Sequence, residues 1–212
     1  MIKLEVFVFN PFQENTFLLS DESGKCIIID PGMYDPGENR QITEFIQDRG
    51  LIPEAIVNTH CHVDHVLGCR YLKDQYDIPF CFHKDDQEML ERAPELGAIF
   101  GLEVDMLPEA DRYLVAGEKF QFGNSELQLI HVPGHSKGSL ALYSEPDKFV
   151  ITGDALFNGS IGRTDLPGGD YNTLIESIRN RLMTLPGEVK VYPGHGPSST
   201  IAYEHDTNPF LN

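Results

Sequence analysis

Six consecutive residues, His60-Cys61-His62-Val63-Asp64-His65, place three imidazoles and a carboxylate within reach of a common metal site. In extended chain alternate side chains share a side, so His60 and His62 can grip one ion. Cys69, Leu72 and Tyr76 follow at helical spacing. That spacing predicts a helix beginning near Asp64 or His65, and a turn that swings both residues toward a second ion. Three later positions set a ligand type beside glycine at the end of an apolar run: His135 after Val132-Pro133-Gly134, Asp154 after Ile151-Thr152-Gly153, and His195 after Tyr192-Pro193-Gly194. Glycine lets the backbone turn closely, and a strand end aims the side chain from a rigid base. The seven groups suit two divalent ions, with His60, His62 and His135 on one, Asp64, His65 and His195 on the other, and Asp154 bridging. Imidazole-rich ligation without thiolate favours Zn2+, with iron or manganese as alternatives.

The elements that position these residues are read from periodicity. Residues 2–9 alternate as a strand, and Thr16-Phe17-Leu18-Leu19 and Cys26-Ile27-Ile28-Ile29 follow as two more, the last ending in Asp30-Pro31-Gly32. Ile42, Phe45, Ile46 and Arg49 mark a helix closed by Gly50, and Ala55-Ile56-Val57 is a short strand that ends at Asn58-Thr59. Beyond the histidine cluster, Pro79 to Phe82 reads as a strand and residues 84–110 as short helices. Lys119 to Thr152 is rich in strands, whereas residues 155–170, dense in glycine and proline, are expected to form a long loop. Asp170 can cap a helix carrying Leu174, Ile175, Ile178 and Leu182, and Val189 to Tyr192 is a final strand. Strand-rich halves, each followed by helices, imply two mixed sheets with helices outside: a four-layer α/β sandwich. With no repeat or linker, residues 1–212 are expected to form a single domain.

A hydrophobic content of 41% and a charged content of 23% are those of a soluble globular protein. The formal charge of −17 argues against nucleic acid or an anionic membrane as partner. Met1-Ile2-Lys3-Leu4-Glu5 has none of the features of a secretory signal, and no apolar run approaches the ~20 residues of a membrane span. Cys26, Cys61, Cys69 and Cys81 form no C-x-x-C pair, which fits buried thiols and a cytoplasmic location.

The unbroken H-x-H-x-D-H stretch and the separated His, Asp and His motifs, in this order, resemble the metallo-β-lactamase fold superfamily over nearly the whole chain. Within it, Gly153-Asp154-Ala155-Leu156-Phe157 running on to Gly162-Arg163-Thr164-Asp165 is most similar to short bacterial type II glyoxalases, the hydroxyacylglutathione hydrolases. The resemblance implies an αβ/βα sandwich with a dinuclear site at one edge, and a small-molecule thioester as substrate. In that reading Asp64 and Asp154 support a hydroxide held between two cations, which attacks the thioester carbonyl. The thiolate, of parent pKa ~8.5, then leaves with little help from an acid. Longer type II glyoxalases hold glutathione with a C-terminal helical region and a loop Lys and Tyr. Here the chain stops soon after His195, so no such extension is expected, and the loop offers Arg163 and Thr164 instead.

Arg163 can pair with a substrate carboxylate or with Asp165 or Asp170. Asp30 can support a ligand histidine or cap its own turn. His83, His131 and His205 lack the glycine-flanked setting, and Cys61 points away from its histidine neighbours toward the core. Two rivals share the fold: a mononuclear iron persulfide dioxygenase using His60, His62 or His135 and Asp154, and a lactonase or other small ester hydrolase.

Overall fold

A computed structural model describing Met1–Asn212 builds the N-terminal alternation into β1 (Lys3–Phe9), antiparallel to β2 (Glu14–Ser20), which pairs in turn with β3 (Lys25–Ile29). Asp35 then caps helix α1 (Pro36–Asp48) by accepting from the amides of Gly37 and Glu38, and Pro36 suits the first turn. Strand β4 (Ile52–Val57) returns parallel to β3, and helix α2 (Cys69–Tyr76) leads to the parallel strand β5 (Phe80–His83). Two short helices, α3 (Gln87–Glu91) and α4 (Ala93–Ile99), precede β6 (Arg112–Leu114), which closes a mixed sheet whose spatial order follows the chain. Leu18, Ile28, Ile56 and Phe80 on one face of this sheet form a core with Ile42, Ile46 and Leu72 from the helices. Phe17, Leu19, Ile27 and Ile29 on the other face are equally buried. These elements, with residues Gln121–Ser125, make the first of two compact units, Met1–Leu114 being its main part.

The second unit comprises Val115–Phe120 and Glu126–Asn212. The second sheet is also mixed, in the order β14-β13-β10-β9-β8-β7. In chain order these are β7 (Lys119–Phe122), β8 (Ser125–His131), β9 (Leu140–Ser144), β10 (Phe149–Gly153), β13 (Lys190–Pro193) and β14 (Ser199–Thr200). Between the parallel neighbours β10 and β13 runs helix α5 (Tyr171–Ser177), widened into a π-helical turn over Ile178–Leu182. Asp170 caps α5 as the sequence predicts, accepting from the Thr173 amide. Helix α6 (Ile201–Thr207), which periodicity did not reveal, follows β14, and Leu174, Ile178, Val150, Val191 and Ile201 share this unit's core. No helix is long and apolar enough to cross a membrane.

The stretch 155–170 is not the plain loop expected. It opens with a hairpin, β11 (Leu156–Phe157) against β12 (Ser160–Ile161), turned at Asn158-Gly159 with glycine at φ 67°. Asn-Gly between short apolar pairs is a hairpin signature. The density of glycine and proline masked it.

Candidate metal centre

Each unit carries its own share of the seven predicted ligands. In the first, four come from the C-terminal end of β4, and Asp30, at the end of β3, organises them. Asp30 adopts φ 49°, a left-handed conformation that Asp tolerates better than most residues. Its Oδ1 accepts from the Thr59 amide at 2.7 Å, and its Oδ2 accepts from the Thr59 hydroxyl at 2.6 Å and from His65 Nδ1 at 3.1 Å. The Thr59 proton is thus engaged, so Thr59 Oγ1, 3.0 Å from His60 Nδ1, receives the imidazole proton. Both His60 and His65 are thereby held with Nδ1 protonated, and Nε2 is the nitrogen that can ligate. The Asp30 carboxylate is thus spent on Thr59 and His65, across from its own turn.

His60 and His62 do share a side, with ring centroids 4.9 Å apart. The helix expected from Asp64 or His65 starts later. Val63–His65 is a single 3₁₀ turn, and α2 begins only at Cys69. Side chains hold the carbonyls that an earlier helix would use: Asn10 Nδ2 donates to Asp64 O at 3.0 Å, and Asn58 Nδ2 to His65 O at 2.8 Å. Nor does the turn carry His65 far from the first pair, since its ring lies 4.1 Å from that of His60. Asp30, His60 and His65 have ligand atoms within 4.8 Å of one another, and Asp64 Oδ2 is 3.8 Å from His65 Nε2.

The second unit supplies His135, Asp154 and His195. Gly153, at φ 50°, turns the chain at the end of β10 so that Asp154 leaves the strand. The Gly194 amide donates to Gly153 O at 2.8 Å, which ties the end of β13 to the end of β10. Asp154 Oδ2 then lies 3.5 Å from His135 Nε2 and 3.6 Å from His195 Nε2. The β11–β12 hairpin brings the chain back past Asp154, and the Arg163 carbonyl accepts from His135 Nδ1 at 2.8 Å. Gly162 makes this return possible, because a Cβ there would stand 1.8 Å from Asp154 O. The Arg163 side chain is turned outward, 56% exposed, and paired at 2.8 and 2.7 Å with both oxygens of Asp165, not with Asp170.

The donor set fits divalent cations. Two ligand atoms ~2.1 Å from a shared ion at a tetrahedral angle are themselves about 3.4 Å apart. The three Nε2–carboxylate separations lie close to that value and beyond good hydrogen-bond length. Exposure grades from His65, fully buried, through Asp154 and Asp64 at 11% and 15%, to His195 at 26%. Thiols stay out of the set: Cys61 and Cys69 are buried in the core, and burial pushes both well above the usual thiol range. His131 is satisfied by Lys137 O at 2.8 Å, and His83 accepts from the Asp85 amide. Thr59, Asn58, Asn10 and Glu14 were missed by sequence reasoning. Asn58-Thr59 adjoins the histidine cluster, and Glu14 is an acid entering an apolar strand, but nothing local shows what either touches.

Residues 9–195 match the metallo-beta-lactamase superfamily, and the chain belongs to it. Its fold, two mixed sheets with helices, is that superfamily's α/β architecture, and its His/Asp clusters fit a metal-dependent hydrolase. The probable metallo-hydrolase YqgX of Bacillus subtilis is 40% identical over 205 residues, covering 95% of this chain and 94% of its own. The hydroxyacylglutathione hydrolase GloC of Haemophilus influenzae is 34% identical, covering 100% and 99%. Among solved structures, TTHA1623 in a di-iron-bound form is 40% identical with a TM-score of 0.88, covering 98% of this chain and 100% of its own.

Proposed function

We propose that this protein is a dinuclear metal-dependent thioester hydrolase of the hydroxyacylglutathione type. His60, His62 and His135 hold one ion, Asp64, His65 and His195 the other, and Asp154 serves both. The observation that carries the reading is the placement of one Asp154 oxygen almost equally far from His135 and His195, the two histidines assigned to different ions. Bound there, two divalent ions supply Lewis acidity, which makes water nucleophilic near neutral pH and polarises a carbonyl. Zinc suits the donors, and so does iron, which the TTHA1623 structure contains by its name. The likeness to GloC supports the thioester class.

The chain's own residues fix the geometry. Asp30 and the Arg163 carbonyl orient His65 and His135, so Nε2 positions are set before substrate arrives. The further acids beside these ligands, Asp30 and Glu14, are fully buried on the Nδ1 side of His65, an arrangement that favours a thiolate, which leaves without an acid, over an amide or alkoxide. Arg163, already neutralised by Asp165, offers a thiol carrier little attraction.

The test is kcat/KM for lactoylglutathione and for the lactoyl ester of a short neutral thiol, in wild type and Arg163→Ala, with a lactone, a β-lactam and glutathione persulfide as comparators. Thiol release from both thioesters, within tenfold of each other and closer still in the variant, is expected. Oxygen uptake with persulfide and no thiol release would replace this reading with the dioxygenase. Faster turnover of the lactone or lactam would replace it with those hydrolases.

A further inference from the structure

Glu14 opens β2 as a fully buried carboxyl. Its Oε2 is 2.7 Å from the Thr16 hydroxyl, two residues along the same strand face. That hydroxyl also reaches Asp30 O at 2.8 Å and accepts from the Gly32 amide at 2.9 Å, so it pins both ends of the Asp30-Pro31-Gly32 turn. The other oxygen, Oε1, has no hydrogen-bond partner and lies 3.8 Å from His65 Nδ1. A buried, half-satisfied carboxyl is destabilising, and natural proteins retain such groups where they serve something else. Space around it is tightly committed. A Cβ on Gly32 would meet Glu14 Oε2 at 2.1 Å, Asn10 Nδ2 at 2.7 Å and Asp64 O at 2.7 Å. The Glu14 carboxyl and the Asp64 carbonyl thus share the space left by Gly32, and the carboxyl lies beside the ring of His65.

We propose that Glu14 is a positioning residue for the ion held by Asp64 and His65. It braces the Asp30 turn through Thr16, and with Asp30 it confines His65 Nδ1 from a second side. The inference rests on His65 being a metal ligand, as proposed above. It differs in kind from the role of Asp30, whose hydrogen bonds reach His60 as well through Thr59. Glu14 lies directly beside His65 and reaches Asp30 only through Thr16 and the Asp30 backbone oxygen, so its loss should act mainly on the His65 ion.

The experiment titrates metal-free full-length protein with Zn2+ against a chromophoric chelator and resolves two dissociation constants. His65→Ala marks which constant belongs to the His65 ion. Glu14→Ala is expected to raise that constant at least tenfold and the other less than threefold. Glu14→Gln, which keeps the length, the planar end and a hydrogen bond to Thr16, should stay within threefold of wild type on both. If Glu14→Ala does not fold, Glu14→Asp, which withdraws the carboxyl by one methylene, should give the same selective loss. Equal weakening of both ions, an unchanged His65 constant, or Gln behaving as Ala would overturn the proposal while leaving the ligand assignment intact. If His65→Ala moves neither constant, the ligand assignment fails and the proposal falls with it.

Discussion

At the scale of single residues, the site depends on atoms that do not ligate. Asp30 fixes the protonated nitrogens of two histidines, and the Arg163 carbonyl fixes a third. The proposed ligands could be named from sequence because each stands in a local pattern, as a histidine cluster or as His or Asp beside glycine at a strand end. Their supports were not. Asp30 and Thr59 meet only through the pairing of β3 with β4, and Arg163 reaches His135 only because a hairpin folds back. Asp154 is the residue on which the two-ion reading turns. Asp154→Asn keeps the volume but removes the charge that would hold two cations. Its kcat/KM for thioester should fall at least a hundredfold, about 2.7 kcal/mol, with far-UV circular dichroism unchanged. Wild-type turnover at wild-type metal content would show that Asp154 is not shared.

At the scale of elements, sequence periodicity located the long strands and α1, whose apolar faces are regular, and missed pieces too short to have a period. The β11–β12 hairpin, β6 and β14 are two or three residues each. The late start of α2 shows a different failure. Helical spacing was present, but Asn10 and Asn58, distant in sequence, capture the carbonyls that would have extended it. A third device is the clamp at Asp21, which ends the β2 region and accepts from Ser23 N, Asn124 N and Ser125 Oγ at 2.9, 2.6 and 2.9 Å. Burial opposes the charge on Asp21, but those hydrogen bonds outweigh it and bring the carboxyl from 3.8 to about 2. A depressed folded-state pKa stabilises fully above the unfolded value and ceases to do so as pH falls through the folded one. Asp21→Asn should therefore cost about 1–3 kcal/mol near neutrality. In urea titrations the gap from wild type should be constant above pH ~5 and shrink between pH ~4 and ~2. A gap independent of pH across that window would mean the charge is not what the clamp uses.

At the scale of the whole molecule, the formal charge of −17 sets the chain against anionic substrates everywhere except where cations gather. Two divalent ions would neutralise part of the carboxylate excess and give a thioester one favourable edge to approach. The same charge leaves little reason for strong capture of an anionic carrier such as glutathione, in keeping with an Arg163 already paired to Asp165. Family membership supports metal-dependent hydrolysis, and beyond it we propose two ions per chain with Asp154 common to both. Metal content per chain, measured by mass spectrometry after purification without chelator and dialysis against zinc, tests this most directly. Two ions per chain in wild type, falling to one or fewer in Asp154→Asn, is the predicted result. A reproducible single iron in wild type, with no second ion recovered on adding zinc, would contradict it.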